Sequence, residues 1–206
     1  MDFTCEGEPT SNWLSVIKSI KMMMAIKELN IVSFIVTSIG NYRIFEEFNL
    51  KDPDLPVTIY FSLHSANLEK RAWLIPASKG QSIYKIGEQL EKRYYLNGIR
   101  PSAAISVFDR CNNQPEDMRE FKQFFKTFPF FGIKISTGVN LSLVEYPVTS
   151  DQRTLEVISE LRMAGHDARY RDILGTGVMA GCGTTVPPVK KTKKADSIRF
   201  RGGSMR

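Results

Sequence analysis

Two short turn signals constrain the fold of this chain more than any other feature. Gly40-Asn41 and Thr137-Gly138 are two-residue turns, and glycine in the first position of the former suits a type II′ hairpin. Each turn lies between two segments with the alternation or β-branched content of a strand, namely 31–39 and 42–48, and 131–136 and 139–146. Hairpins join antiparallel strands, so the two turns predict a mainly antiparallel sheet.

Further strands and about four helices follow from apolar spacing and capping residues. Strands are predicted at 57–64, 71–75 and 103–108. The helices are bounded by caps, prolines or glycines and are predicted at 13–29, 79–96, 115–128 and 149–165. This order of elements predicts an α+β fold in which about four helices pack on one sheet.

The chain is predicted to be a single domain with a basic C-terminal tail. Residues 1–12 are interpreted as an N-terminal arm and 13–174 as the globular α+β domain. Glycines and Pro187-Pro188 mark 175–206 as a linker that leads into the tail. The length of 206 residues suffices for this arrangement.

The net charge of the chain lies at its C-terminal end. The chain has 28 basic and 22 acidic residues. The last twenty residues hold seven basic residues and one acidic residue, Asp196, which leaves 21 of each sign before them. The basic residues of the tail are Lys190, Lys191, Lys193, Lys194, Arg199, Arg201 and Arg206. Such a cluster predicts binding to a polyanion, either nucleic acid, with RNA favoured, or an anionic membrane.

Two further pairs of basic residues stand next to tyrosines. Lys92 and Arg93 precede Tyr94 and Tyr95, and Arg169 and Arg171 flank Tyr170. Cations interleaved with aromatic rings suit phosphate contact combined with base stacking. These four basic residues are therefore added to the predicted polyanion-binding set.

Residues suited to catalysis or metal binding are few. His64 lies at the end of a predicted strand and His166 follows a helix stop, and a structural role suffices for each. Cys182 lies between two glycines like an exposed nucleophile, but no rigid shell is predicted around it. Cys5, Cys111 and Cys182 are too widely spaced to predict a zinc site or a disulfide framework. No cofactor and no enzymatic activity are therefore predicted.

Apolar residues in excess of core needs predict self-association. Met22 and Met24 belong to a run of three methionines, of which one or two must leave the core side of the first helix. Phe124 and Phe125 belong to an aromatic cluster larger than one helical face can bury. These four residues are the predicted contacts of a homo-oligomer.

Together these features predict a non-enzymatic structural or assembly protein that resembles a viral matrix or coat protein in layout. An RNA-binding regulator or suppressor and a small enzyme with a Cys/His centre are the alternatives. No segment reaches the roughly 18 uninterrupted apolar residues of a membrane span, and no signal peptide is evident. A cytoplasmic location is predicted, with nuclear import by the tail lysines as an alternative.

Overall fold

The computed structural model describes residues 1–3, 7–138 and 149–172. Six strands form one sheet in which they are arranged in chain order. They are β1 (Asp2–Phe3), β2 (Phe34–Ser38), β3 (Val57–Ser62), β4 (Ser102–Val107), β5 (Gly132–Thr137) and β6 (Ala168–Tyr170). Every neighbouring pair of strands is parallel.

Helices connect each strand to the next. They are α1 (Trp13–Ala25), α2 (Tyr42–Lys51), α3 (Leu68–Leu74), α4 (Ile83–Asn97), α5 (Pro115–Thr127) and α6 (Asp151–Met163). The crossover between two parallel strands is right-handed in nearly all proteins. Because successive strands of this sheet are neighbours in chain order, right-handed crossovers place all the helices on the same face of the sheet. The fold is therefore a parallel α/β sheet with one helix-covered face.

The prediction of a mainly antiparallel sheet is wrong, and the first turn shows why. Residues 42–48 form most of α2 instead of a second hairpin arm. Asn41 caps this helix, because its side-chain oxygen accepts hydrogen bonds from the amides of Arg43 and Ile44. Gly40 has φ +87°, so the pair makes a strand-to-helix connection.

The second predicted hairpin and one predicted strand are also corrected. Strand β5 pairs with β4 on one side and β6 on the other, so both of its edges are occupied by parallel partners. The second arm of that hairpin, 139–146, lies outside the described residues. Residues 71–75, predicted as a strand, belong mostly to α3, which Asn67 caps.

The four predicted helices are confirmed with shifted ends, as α1, α4, α5 and α6. The first ends at Ala25 rather than 29 and is followed by a 3-10 turn, Lys27–Leu29. Residues 1–12, the predicted arm, contain β1 and a 3-10 turn at Pro9–Asn12. The predicted linker and tail, 175–206, lie outside the described residues, so the domain boundaries stay a prediction.

The two faces of the sheet differ in chemistry. Residues such as Phe61, Ile105 and Ile135 point to the helix side and join the buried core with helical residues such as Phe124. The residues between them, which face away from the helices, are mostly polar and partly exposed: Thr37, Thr58, Tyr60, Ser106 and Lys134. The sheet therefore has one helix-free polar face.

Side chains from two distant strands meet over the helix-free face. The guanidinium carbon of Arg171, just after β6, lies 5.6 Å from the centre of the Tyr60 ring on β3. Three strand spacings of about 4.8 Å separate β3 from β6 by about 14 Å in a flat sheet, so these two long side chains extend along the sheet towards each other. The helix-free face therefore carries a cation against an aromatic ring.

Candidate functional site

The carboxyl ends of parallel strands are where ligands bind in open α/β sheets. In this chain the residues at or just after those ends are polar on five successive strands. We call this set the carboxyl edge, and its members are Glu8, Ser38, His64, Ser106, Asn112 and Ser136. The carboxyl edge is therefore the candidate functional site.

Glu8 comes after β1 in the chain and binds the end of β2. Its Oε1 accepts hydrogen bonds from the Ser38 hydroxyl at 2.6 Å and from the amide and hydroxyl of Thr10 at 3.0 and 2.6 Å. From the described residues its Oε2 accepts one, from the Ile39 amide at 2.9 Å. A carboxylate oxygen can accept more than one hydrogen bond, so Oε2 retains capacity for a ligand's donor.

His64 stands at the end of β3 in a left-handed backbone conformation, with φ +51°. Its Nδ1 accepts a hydrogen bond from the Ser106 amide at 2.9 Å. Burial, with a smaller contribution from the charge of Arg71, lowers the pKa of His64 to about 4. The ring is therefore neutral near pH 7 and carries its proton on Nε2, which makes that atom a hydrogen-bond donor.

Two buried side chains hold the strand ends in place. The amide nitrogen of Asn112 donates to the carbonyls of His64 at 2.6 Å and Ser106 at 2.8 Å, and its oxygen accepts from the Phe108 amide. Arg71 donates to three more carbonyls, which belong to Ile39, Ser62 and Leu63 at 2.6, 2.9 and 3.1 Å. The ends of β2, β3 and β4 are thus fixed before any ligand binds.

A cation and an aromatic ring extend the site over the helix-free face. Arg171 lies over the Tyr60 ring, and Lys134 is on β5 of the same sheet. Arg169, the register partner of Lys134, is tied through a 2.9 Å hydrogen bond to Asp167, which precedes β6 and also pairs with Arg100 before β4. Of the predicted polyanion-binding residues, Arg171, just after the end of β6, therefore lies towards the carboxyl edge, whereas the Arg169 guanidinium lies towards the amino ends of the strands.

The other predicted polyanion-binding residues are placed elsewhere. Arg93 is buried, with its guanidinium 3.6 Å from the centre of the Phe48 ring and hydrogen bonds to the carbonyls of Asp52 and Leu55. Lys92 is exposed on α4. The tail residues Lys190, Lys191, Lys193, Lys194, Arg199, Arg201 and Arg206 lie outside the described residues.

The predicted self-association residues fall into two groups. Met22 and Met24 are 60% and 43% exposed on α1. Phe124 and Phe125 are at most 1% exposed, and both pack against Phe131 in the core. The exposed methionines are thus the members of this set that lie on the surface.

The described residues contain no group of three or more His, Cys, Asp or Glu side chains that could hold a metal ion. Cys111 is buried, and burial raises the pKa of its thiol to about 11, with a smaller contribution from Asp117. His166 packs against Phe125 beyond α6. Cys182 lies outside the described residues. No described helix is both long enough and apolar enough to cross a membrane.

Sequence reasoning missed most of the carboxyl edge. Glu8, Ser38, Ser106 and Asn112 received no role, and His64 was interpreted as structural. What these residues share in the sequence is that each lies at or after the carboxyl end of a strand. Such residues come together at one edge only when the strands are parallel. An antiparallel sheet would place them at opposite edges, so the prediction of such a sheet hides the site.

Comparison with known proteins identifies relatives that span more than this chain. No protein-family model matches the chain. It is 31% identical over 186 residues to a protein of Dictyoglomus turgidum named "Probable dual-specificity RNA methyltransferase RlmN", covering 86% of this chain and 51% of the relative. A protein of the same name from Staphylococcus saprophyticus is 25% identical over 183 residues, covering 86% and 48%. The chain thus spans about half the length of these curated relatives.

Solved structures establish the fold. A radical SAM methyltransferase from Sphaerobacter thermophilus superposes with a TM-score of 0.81 at 17% identity, covering 89% of this chain and 53% of that chain. A domain of the pyruvate-formate lyase-activating enzyme from Bacteroides vulgatus superposes with a TM-score of 0.59 at 14% identity, covering 84% and 98%. The chain therefore has the fold of a radical SAM methyltransferase.

These comparisons overturn the predicted function. A non-enzymatic structural protein with the layout of a viral matrix or coat protein was predicted, whereas the relatives that match most of this chain are named RNA methyltransferases. The superposed structure gives the fold alone, and that fold is likewise found in an enzyme. The prediction of a viral structural protein without enzymatic activity is therefore wrong.

Proposed function

We propose that this chain binds S-adenosylmethionine and RNA for methyl transfer to the RNA, with the carboxyl edge as its binding site. The observation that carries the proposal is the convergence of Glu8 and His64, each with an unused hydrogen-bonding position, at the carboxyl ends of parallel strands. The similarity to proteins named RNA methyltransferases supports the choice of substrates. RNA was also the favoured partner in the sequence analysis.

The polar groups of the carboxyl edge fit S-adenosylmethionine, which would supply the methyl group. This molecule offers ribose hydroxyls and an ammonium group as donors, and a carboxylate and adenine nitrogens as acceptors. Glu8 Oε2 can accept from the former, and His64 Nε2 can donate to the latter. Ser106 and Ser136, whose hydroxyls lie 3.4 Å apart, add groups that can either donate or accept.

The described residues do not fit an iron–sulfur cluster. Radical chemistry on S-adenosylmethionine draws on an electron source such as this cluster, which proteins hold with cysteine thiolates. Cys111 is the single cysteine within the described ranges, and its raised thiol pKa, about 11, keeps it protonated. The roles proposed for the described residues are therefore binding and orientation of the ligands.

The helix-free face suits RNA in particular. Arg171 provides positive charge beside Tyr60, and Lys134 adds a cation on β5; a ring next to a cation can stack on a base while the cation meets a phosphate. The predicted tail cluster would add sequence-independent attraction to the RNA backbone. RNA bound on this face would reach the carboxyl edge, where the strands that form the face end.

Binding of S-adenosylmethionine to the Glu8→Gln variant tests the proposal. Removing the charge is expected to weaken binding by about tenfold or more, because a hydrogen bond to a charged group contributes about 1.5–3 kcal/mol. Isothermal titration calorimetry measures the effect, with thermal unfolding of both proteins as a check on folding. Glu116→Gln, whose side chain is 65% exposed on α5, is the matched control and should bind like the wild type.

Two outcomes would contradict the proposal. One is the absence of saturable binding by the wild-type chain. The other is equal binding by the wild-type and Glu8→Gln proteins, which would place the ligand away from the carboxyl edge. S-adenosylhomocysteine, which lacks only the transferable methyl group, should compete for the same site.

A further inference from the structure

A small cavity with both apolar and polar lining residues lies beside the carboxyl edge. It has a volume of about 190 Å³ and lies between α3 and the loop that leads into α4. Arg71, Ser78, Gln81 and Ser82 supply its polar lining. Arg71 also holds the ends of β2 and β3, so the cavity shares a side chain with the candidate site but is distinct from it.

Arg71 is a buried cation that makes no direct ion pair within the described ranges. It is 1% exposed and is the largest of the fully buried side chains. Its Nε and Nη2 donate to backbone carbonyls. Burial lowers the pKa of Arg71 to about 10, and the charge of Glu8 opposes this shift without a direct contact. A buried guanidinium that lines a cavity and has no directly bound carboxylate favours an anion there.

Two lining residues carry buried oxygen atoms that lack partners. Ser78 is 3% exposed, and its hydroxyl makes no hydrogen bond with the described residues. The same holds for the side-chain oxygen of Gln81. A buried polar group without a partner destabilises the folded protein, so a bound ligand that satisfies these groups would gain affinity. A rotated Gln81 amide can present its NH₂ group instead, which suits an acceptor.

The amino end of α4 adds positive potential at the same place. The helix begins at Ile83, directly after the cavity residue Ser82, whose hydroxyl accepts only from the Lys85 amide. Among the described residues, the amides of Ile83 and Tyr84 find no acceptor. Free amides and the aligned peptide dipoles at a helix start attract anions.

We propose that this cavity binds a phosphate-type oxyanion, held by Arg71, Ser78 and the first turn of α4. The oxyanion is either a free phosphate or a backbone phosphate of RNA, and the second case rests on the function proposed above. In either case the ligand gives Arg71 a directly bound anion, in addition to the more distant charge of Glu8. It also satisfies the Ser78 hydroxyl without any movement of the strands that Arg71 supports.

Inorganic phosphate tests the oxyanion site directly. Titration into ¹⁵N-labelled full-length chain, against chloride at equal ionic strength, should shift the amides of Ile83 and Tyr84 saturably. Gln81→Glu should weaken phosphate binding by about tenfold or more, because a like charge then faces the ligand. Gln123→Glu makes the same change on the exposed surface of α5 and should bind phosphate as the wild type does.

Thermal unfolding provides a second readout that does not depend on Gln81. Ser78→Ala should be at least as stable as the wild type in chloride, because it removes an unpaired buried hydroxyl. Phosphate should then raise the unfolding midpoint of the wild type more than that of Ser78→Ala, because a ligand that binds the folded state stabilises it and the variant binds phosphate more weakly. The two increases in midpoint must be compared, because phosphate also stabilises proteins without binding a specific site.

Competition with RNA distinguishes the two sources. If the occupant is an RNA phosphate, free phosphate should weaken binding of a short RNA to the wild type but not to Gln81→Glu. If the wild-type and Gln81→Glu proteins bind RNA with equal affinity, the occupant of the cavity is free phosphate. Unsaturable shifts, or equal phosphate affinity of the wild-type and Gln81→Glu proteins, would overturn the site. A chain that binds phosphate here but no RNA would contradict only the proposed function.

Discussion

Replacing Arg71 with methionine is expected to lower the free energy of unfolding by about 3–5 kcal/mol, the largest effect that we predict. The guanidinium donates to the carbonyls of Ile39, Ser62 and Leu63, and all three would lose this bond, although the Leu63 carbonyl would keep the one from the Ser65 amide. A buried polar group left unpaired costs about 1–3 kcal/mol. The contact of the guanidinium with the Phe61 ring, 5.1 Å from its centre, would also be lost.

Urea unfolding at neutral pH measures this effect. Arg119→Met makes the same substitution on α5, where the Arg119 side chain is 70% exposed and pairs only with Glu116 on the surface. That variant should lie within about 0.5 kcal/mol of the wild type. Similar stabilities for the two variants would show that Arg71 does not hold the ends of β2 and β3.

Replacing Asn112 with leucine is expected to cost about 3 kcal/mol or more. Asn112 is fully buried, and its amide satisfies two carbonyls and one amide that would remain buried without it. Those groups belong to His64, Ser106 and Phe108, so the loss would loosen the carboxyl edge itself. Affinity for S-adenosylmethionine should therefore fall even under conditions where the variant is folded.

A second asparagine provides the control for Asn112. Asn97 also makes two hydrogen bonds, to the Pro53 carbonyl and from the Ile99 amide, but it is only partly buried. Water can replace a lost partner there, so Asn97→Leu should cost about 1 kcal/mol and leave ligand affinity unchanged. Equal losses of stability in the two variants would mean that the buried hydrogen bonds of Asn112 contribute no more to stability than the partly exposed ones of Asn97.

Helices were the part of the fold that could be predicted from the sequence. In α5, Pro115 stands at the first position, and Met118, Phe121 and Phe125 recur at three- and four-residue spacing. These signals are local, because capping and amphipathic spacing are properties of the helix itself. The short helix α3 was missed, since seven residues give too little periodicity.

The direction of the strands could not be predicted, for two physical reasons. Strands of a parallel sheet that is covered on both faces form continuous apolar segments, whereas β3 alternates between buried Ile59 and Phe61 and partly exposed Thr58 and Tyr60. When one face is uncovered, the strands of a parallel sheet show the same alternation of apolar and polar residues as those of an antiparallel sheet. In addition, Asn41 is equally suited to a hairpin turn and to a helix cap, and only the following residues decide between them.

The functional site was missed because its residues are far apart in sequence. Glu8, His64 and Asn112 come from three different loops, and no short motif joins them. The charge of the tail was the conspicuous signal, and it indicates attraction to a polyanion without indicating chemistry. Only the order of the strands brings these three side chains to the same edge.

The central claim is that the carboxyl edge of the parallel sheet binds S-adenosylmethionine. Chemical-shift mapping of the ¹⁵N-labelled chain during titration with this ligand tests it most directly. We predict saturable shifts at the amides of Ile39, Ser65 and Ser106, which lie at the carboxyl edge, and none at Val57 or Gly132, where β3 and β5 begin. Shifts confined to the beginnings of the strands, or no shifts at all, would contradict the claim.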